Sequence, residues 1–433
     1  MSIGELAGRE RARARKRRWI EESVPEPIVM PTEPVRPLVH ELADELRRWG
    51  TLRHRAALER DPGYQRHRAE VLAVLRGYQW DLRAATAEQP RVAGRLRAVA
   101  WNIERGKRFE EVAGVLEQHP RLRDPDLVLL TEVDHGVGRS ANRDVASELG
   151  ERLGLGHVFA PSHLLLAAGD HAELDHGVPN TLGMHGVALL TRFPVRRMRG
   201  VGLPEFADKL GAVERRLGAK RALLVELQAP GGPLTVAVVH LDPFAMPRHR
   251  AWQMQSILGS LSGLEADRLL LGGDLNTNTY HLGTPRGLAV DVVLKMLRHG
   301  FAGTIAHYMI PDQHYERGLF ETMAEAGLST EGFVDPRTGT IRFDLNDPEI
   351  VDKAVATLPG PVVRWVQRRM EPWGGTVPLR MDWFAGRGLR PRSAWTVSRP
   401  RFRGGHASDH DPIGVDLEWP AVAGDQLEGA RTG

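Results

Sequence analysis

Six short apolar runs lie between Leu96 and Leu275: LRAVAW, DLVLLTEV, GVALLT, ALLVEL, LTVAVVHL and RLLLGGDL, separated by helical periodicity and Gly/Pro turns. Runs this short and rich in Val and Leu read as strands buried on both faces. With helical segments between several of them, two packed sheets covered by helices fit better than an open all-β sandwich, so the expected class is α/β. The runs also end alike. A polar residue closes or follows the apolar stretch where a buried strand emerges at the rim of its sheet and can aim a side chain into a cleft. Five places stand out: Asn102 in AWNIERG, Glu132 in LLTEVD, His240 in VVHLD, Asp274 and Asn276 in GGDLN, and Asp409 and His410 in SDHDPI.

Composition limits what those residues can do. The chain has 433 residues and no cysteine, which excludes disulfides, a thiolate nucleophile and thiolate-ligated metals. Any metal must sit on oxygen or imidazole. Asn, Asp and Glu at strand ends are hard donors suited to Mg2+ or Mn2+, and Mg2+ takes only one or two carboxylates besides water and substrate phosphate. Glu132 with Asn102 and Asp409 fits that need. The sequence pI of about 9.3 suits anionic partners: nucleic acid, phosphorylated small molecules or an anionic membrane surface. No apolar run is long enough for an integral membrane segment, and the basic N-terminus lacks the apolar stretch of a secretory signal, so the expectation is a cytoplasmic protein.

Along the chain, residues 1–37 read as a basic, Pro-rich flexible segment. It contains RERARARKRR (Arg9 to Arg18), readable as a solubilising tail or an anionic-surface contact, and the five prolines of Val24 to Pro37. Residues 38–92 read as a helical hairpin broken at Asp61-Pro62-Gly63. The catalytic domain is expected over 93–419, interrupted by a long insertion at about 279–380, with a loose tail over 420–433. The insertion has helical patterns at Leu288 to Arg298, Arg317 to Ala326 and Asp347 to Met370. The last of these joins Arg364, Arg368 and Arg369 to Trp365 and Trp373, a pairing that serves base stacking, a membrane interface or simple capping of the domain.

The motifs WNIERG, TEVD, GVALLTRFPV, VVHL, GGDLN, MDWF and SDHDPI occur in the order found in the endonuclease/exonuclease/phosphatase family, which the chain resembles from Trp101 to Ile413. The resemblance implies a four-layer α/β sandwich of two packed mixed sheets flanked by helices, here with an N-terminal helical extension. It implies Glu132 as main metal ligand, supported by Asn102 and Asp409. Asp274 and Asn276 are similar to the family residues that contact the nucleophilic water and the scissile phosphate. His410 resembles the family's last histidine, a general base or phosphate contact, and Asp382 of RMDWF resembles the residue that orients it. His240 resembles a histidine set against the phosphate in the deoxyribonuclease, sphingomyelinase and inositol-phosphatase branches. Arg105 and Arg139 are weaker candidates for phosphate contact, beside Asp134. Two departures stand out: Trp383 where many relatives carry tyrosine, and Asp411 where a less polar residue is usual.

Plainer readings remain beside these. Asp274-Leu-Asn276 also spells a turn, Asn102 an Asx-turn, Glu132 a solvent-facing strand end, and His240 a core histidine. Taken together, the residues predict a divalent-metal-dependent hydrolase of phosphate esters, first of all a phosphodiesterase acting on nucleic acid. The alternatives are a lipid or inositol phosphate hydrolase and, from another class, a non-catalytic binding module on the same fold.

Overall fold

The computed structural model describes residues 25–169, 177–205, 209–212, 214–277, 285–344 and 360–420. The basic block Arg9 to Arg18, the tail from 421 and the Asp347 to Pro359 part of the third insertion helix lie outside the described residues.

Two sheets form the centre. The first has nine strands: β1 (Val35–Arg36), β2 (Gln79–Asp81), β3 (Arg95–Arg105), β4 (Leu127–His135), β5 (Gly156–Leu165), β6 (Met184–Thr191), β8 (Arg216–Gly218), β15 (Pro391–Thr396) and β18 (Ile413–Glu418). Their order is β1-β2-β5-β6-β4-β3-β18-β15, with β8 added on β5. The second has five: β7 (Val195–Gly202), β9 (Arg221–Ala229), β10 (Gly232–His240), β11 (Leu269–Asp274) and β14 (Asp382–Arg387), in the order β14-β11-β10-β9-β7. Both are mixed. β3 pairs parallel with β4 across the helix Phe109–Gln118, and β10 pairs parallel with β11 across the helix Pro247–Gly259. A parallel pair sends both C-terminal ends to the same rim, which brings the polar strand ends of the sequence together.

Strand alternation sorts the side chains into layers. Ala98, Leu129, Val158 and Leu189 of the first sheet meet Leu223, Val225, Leu270 and Phe384 of the second in the central core. On the outer face of the first sheet, Val99, Trp101, Val128 and Leu130 lie beneath Val112, Leu116 and Leu149. On the outer face of the second, Leu224, Val239 and Leu271 lie beneath Met254, Ile257, Leu319 and Met323. The result is the four-layer sandwich of helices, sheet, sheet and helices.

Residues 43–75 form three helices, Ala43–Trp49, Arg55–Arg60 and Pro62–Leu75. The last begins where the sequence shows a break, because Asp61 caps it by accepting from the Tyr64 N–H and Pro62 takes the first turn, where no amide donor is needed. Leu46, Trp49, Val71 and Val74 pack into the outer core of the first sheet. The Pro-rich segment before them is extended: Val29 bridges Met198 on the edge strand of the second sheet, and β1 pairs with β2 on the edge of the first. Two further ribbons complete the chain, β12 (Ile341–Asp344) with β13 (Thr376–Leu379) and β16 (Arg401–Phe402) with β17 (Gly405–His406).

Candidate active site

Alternation decides which strand-end residues face the crevice between the sheets. On β3, Ala98 and Ala100 point into the central core, so Asn102 follows them. On β10 the same face carries Val236, Val238 and then His240; on β11, Leu270, Gly272 and Asp274; on β14, Phe384 and Asp382. The register then aligns them, because His240 pairs with Asp274 and Asp274 with Asp382, forming one rung across three strands of the second sheet. Asp382 opens its strand where the other two close theirs, since β14 runs antiparallel to β11. The two glycines before Asp274 are needed for close approach. A Cβ on Gly272 would sit 2.5 Å from the Phe384 ring, and Gly273 has φ of 136° with the Val239 carbonyl where its Cβ would be.

Glu132 reaches the cleft by breaking alternation. Against β6 the pairing of β4 shifts between Thr131 and Val133, against β3 it shifts between Asn102 and Arg105, and Val133 returns to the helix-facing core beside Val128 and Leu130. Glu132 is the extra residue, at φ 53°, a left-handed conformation that a glutamate adopts only when its surroundings enforce it. Asn276 is also left-handed, at φ 49°, where asparagine is at home.

The polar contacts bind most of these residues into one group. His410 Nδ1 lies 2.8 Å from Asp382 Oδ2, and its Nε2 lies 3.9 Å from Asp274 Oδ2. Asp274 accepts from the Asn276 N–H at 2.8 Å and from the Asn102 side-chain amide at 3.1 Å. The Asn276 amide also donates to the Leu241 carbonyl at 2.9 Å. His240 Nε2 is 3.6 Å from Asp274 and 4.0 Å from Glu132, whose other oxygen lies 3.7 Å from Arg105 Nε. Ser408 Oγ donates to the Asn102 carbonyl at 2.7 Å and the Trp101 indole to the His410 carbonyl at 2.9 Å, tying the last motif to the first.

Burial and neighbours set the charges. Burial, then the adjacent Asp382 carboxylate, pushes Asp274 up to about 7, against the pull of His410 and its hydrogen bonds. Burial alone would lower His410, but Asp382 and Asp274 outweigh it and hold the imidazole well above its ordinary value. Burial opposes ionisation of Glu132 as well; Arg105, His240, His185 and Lys220 overcome it and keep the carboxylate well below the usual range. His240 is driven well below the ordinary histidine value by burial and then by Lys220.

The remaining candidates are placed differently. Asp409 is exposed; one oxygen lies 3.3 Å from Ser408 Oγ, and its charge acts on His410 and Glu104. Arg139 is buried, its guanidinium held by Asp134 at 2.7 and 3.0 Å and by Glu214, while Asp134 also bonds His185 at 2.8 Å. The departures from the family pattern have local reasons. The Trp383 indole donates to Thr277 Oγ1 at 3.0 Å on the opposite face of the sheet. Asp411 accepts from Arg342 and from the Arg399 N–H, fastening β12 beside His410.

Two site residues escape the sequence reading. Lys220 Nζ lies 2.7 Å from His240 Nε2, buried, with burial lowering it to about 8. It stands immediately before β9, which is antiparallel to β10, so its signal lies ahead of an apolar run and not at its end. Thr340, in the insertion, accepts the Met381 and Asp382 N–H groups at 3.0 Å on one hydroxyl, and its carbonyl takes the Asp411 N–H at 2.7 Å. Nothing in its sequence surroundings marks that role.

A four-layer sandwich with carboxylates, amides and histidines converging at one rim of its paired sheets defines a class of phosphoester-cleaving α/β proteins. Residues 99–410 match the profile of the Endonuclease/Exonuclease/phosphatase family, and the chain belongs to that family. No curated protein sequence matches it significantly. Similar solved structures include an endonuclease/exonuclease/phosphatase from Beutenbergia cavernae DSM 12333 (19% identity, 75% of this chain and 72% of that one, TM-score 0.45). A 3'-5' exonuclease from Neisseria meningitidis is similar at 14% identity (75% and 100%, TM-score 0.41). The human Nocturnin catalytic domain with bound sulfate is similar at 18% identity (76% and 98%, TM-score 0.41).

Proposed function

We propose that this phosphoester hydrolase is a divalent-metal-dependent phosphodiesterase that uses water as nucleophile. The observation that carries the reading is the His240–Asp274–Asp382 rung with His410 bonded to its end. The donor set fits a hard cation. Glu132 is an ionised carboxylate at the rim and would hold Mg2+ or Mn2+ with Asn102 and Asp409. The Asp274, Asp382 and His410 ligand atoms lie within 4.8 Å of one another, and Asp382 Oδ1 is buried with no partner among the described residues, so this trio is an alternative place for the ion. Bound at Glu132, a divalent cation would neutralise charge on the phosphoryl oxygens.

The chain's own residues divide the remaining work. Asp274, with its carboxyl near neutrality, takes the proton of the attacking water, and the Asn276 amide fixes its orientation. His410, kept cationic by Asp382, contacts the phosphate and stabilises the charge that grows there. This favours the phosphate-contact role over the base role for that histidine. His240, kept neutral, faces the same space from the other side of Asp274. Arg105 lies beside Glu132 at the cleft, and Arg139 serves the cleft wall through Asp134 and Glu214.

Nucleic acid is the substrate class favoured by the 58 Lys and Arg against 55 Asp and Glu. A lipid or inositol phosphate is the second reading, favoured by an exposed apolar stripe on the insertion. The test is a panel of DNA, RNA, sphingomyelin, inositol phosphates and bis-p-nitrophenyl phosphate, with Mg2+ or Mn2+ and with chelator. Chelator-sensitive cleavage of one class is expected. Folded, metal-supplied protein that cleaves none of them would return the chain to a binding module on the same fold.

A further inference from the structure

The insertion holds a helix that is inside out. Within Pro285–His307, Lys295 is only 8% exposed, its ammonium 2.6 Å from Asp291 and 4.3 Å from the centre of the Tyr315 ring. The opposite face carries Val290, Val293, Leu294 and Leu297, exposed by 59, 54, 59 and 79%. Positions i, i+3, i+4 and i+7 form one stripe about 100° wide, the width that normally faces a core. Of the twelve exposed large hydrophobic residues among the described ones, six lie in this insertion: these four, Phe343 and Trp365. So concentrated an exposure marks an interaction surface.

We propose that this stripe docks on an anionic phospholipid surface. Charge selects the partner. Phe301, just past the kink at Gly300, meets the edge of the Trp365 ring at 5.9 Å, and the Arg369 guanidinium lies 5.7 Å over that ring. Arg298, Arg364 and Arg368 are exposed, and none is neutralised by an ion pair among the described residues. Aliphatic side chains and a tryptophan flanked by exposed arginines match a bilayer interface, where the apolar groups enter the acyl boundary and the guanidinium groups meet headgroup phosphates. The insertion is also fastened at the active site, since Ile341 bridges His410 and Thr340 holds Asp382 and Asp411.

The test is sedimentation of the full chain with phosphatidylcholine vesicles, with and without phosphatidylserine. Binding is expected only to the phosphatidylserine vesicles and should weaken with salt. Leu294→Glu with Leu297→Glu should cut partitioning by roughly tenfold or more. Arg364→Glu with Arg368→Glu should weaken it and flatten the salt dependence, and both pairs should leave hydrolysis of bis-p-nitrophenyl phosphate unchanged. Three results would overturn the proposal: active wild-type protein that ignores the vesicles, double variants that bind as well as wild type, or a solution dimer that the leucine substitutions dissociate. Vesicle binding by protein that turns over no ester would sink the catalytic reading alone.

Discussion

The cleft and the insertion beside it break the same rule in opposite directions. At the cleft, Asp274, Asp382 and His410 are polar groups buried at the end of an apolar core. On the insertion, Val293 and Leu297 are apolar groups held in water while Lys295 is buried beneath them. A buried carboxylate costs free energy unless a partner or ion compensates it, and an exposed aliphatic stripe forgoes burial unless something covers it. Each region is therefore incomplete by itself, the first toward a cation and a phosphate, the second toward a surface. On the readings proposed above, one violation serves chemistry and the other location.

The comparison is broken most directly at the cleft. Replacing His410 by Ala, or Glu132 by Gln, should lower turnover by about 1,000-fold or more, the scale on which a charged catalytic group acts. The melting temperature should change little for Glu132→Gln, at the rim, whereas His410→Ala also leaves the buried Asp382 carboxylate without its partner and should cost stability as well. Turnover within about threefold of wild type for either variant would remove that residue from the machinery, on the scale set for catalytic groups. Insertion variants that lost as much against a soluble ester would erase the distinction between the regions.

The two regions also differ in how far the sequence discloses them. Asn102, His240 and Asp274 are visible because apolar runs stop at them and Asp409-His410 through the SDHDPI motif ahead of a strand, and the four-layer sandwich expected from the family resemblance is the one observed. What alternation alone hides is Glu132, which faces the cleft only through a bulge, and Lys220, which enters just ahead of an antiparallel strand. β1 and β2 escape because two or three residues are too few to show a period of two. The insertion is legible as helix, since its spacing is helical. Which side of that helix would be buried is not, because Lys295 goes inward through its contacts with Asp291 and Tyr315, and Tyr315 is distant in sequence.

A second break tests how firmly the insertion is attached. Arg250, on the helix Pro247–Gly259, is fully buried and bonds Glu316, also fully buried, at the head of the helix Arg317–Glu325. Arg250→Met leaves that carboxylate buried without its cation and should cost about 3–5 kcal/mol in urea unfolding. A loss below about 1 kcal/mol would mean the carboxylate finds water, as exposed pairs do, and that the insertion is only loosely joined to the sandwich.

Glu205 sharpens the comparison, since it is a buried polar group with no catalytic role assigned. Burial raises it from 4.5 to about 7, with Asp242 adding to the rise and Lys209 opposing it. The folded state therefore prefers the neutral acid. Its favourable contribution is fully present below pH 4.5 and is lost as pH rises through 7. Glu205→Gln should accordingly be more stable than wild type at pH 8, by up to roughly 3 kcal/mol, with the difference vanishing near pH 4. Its neighbour His163, 3.3 Å away and kept neutral by burial, acts in the opposite sense as pH falls, and comparing the two proteins at each pH removes that contribution. A pH-independent difference would show that the Glu205 carboxyl titrates alike in the folded and unfolded states.

The smallest effect is expected at the stripe itself. Val293 is 54% exposed on a helix, so Val293→Gln removes no buried contact. It exchanges a β-branched residue for one with better helix propensity, worth a few tenths of a kcal/mol. Unfolding should therefore be unchanged or slightly more costly, within about 0.5 kcal/mol of wild type. Such neutrality is what separates an apolar residue held for a partner from one held for the fold. A loss beyond about 1.5 kcal/mol, the range of a buried valine, would mean that Val293 packs within the chain and that the helix is not inside out.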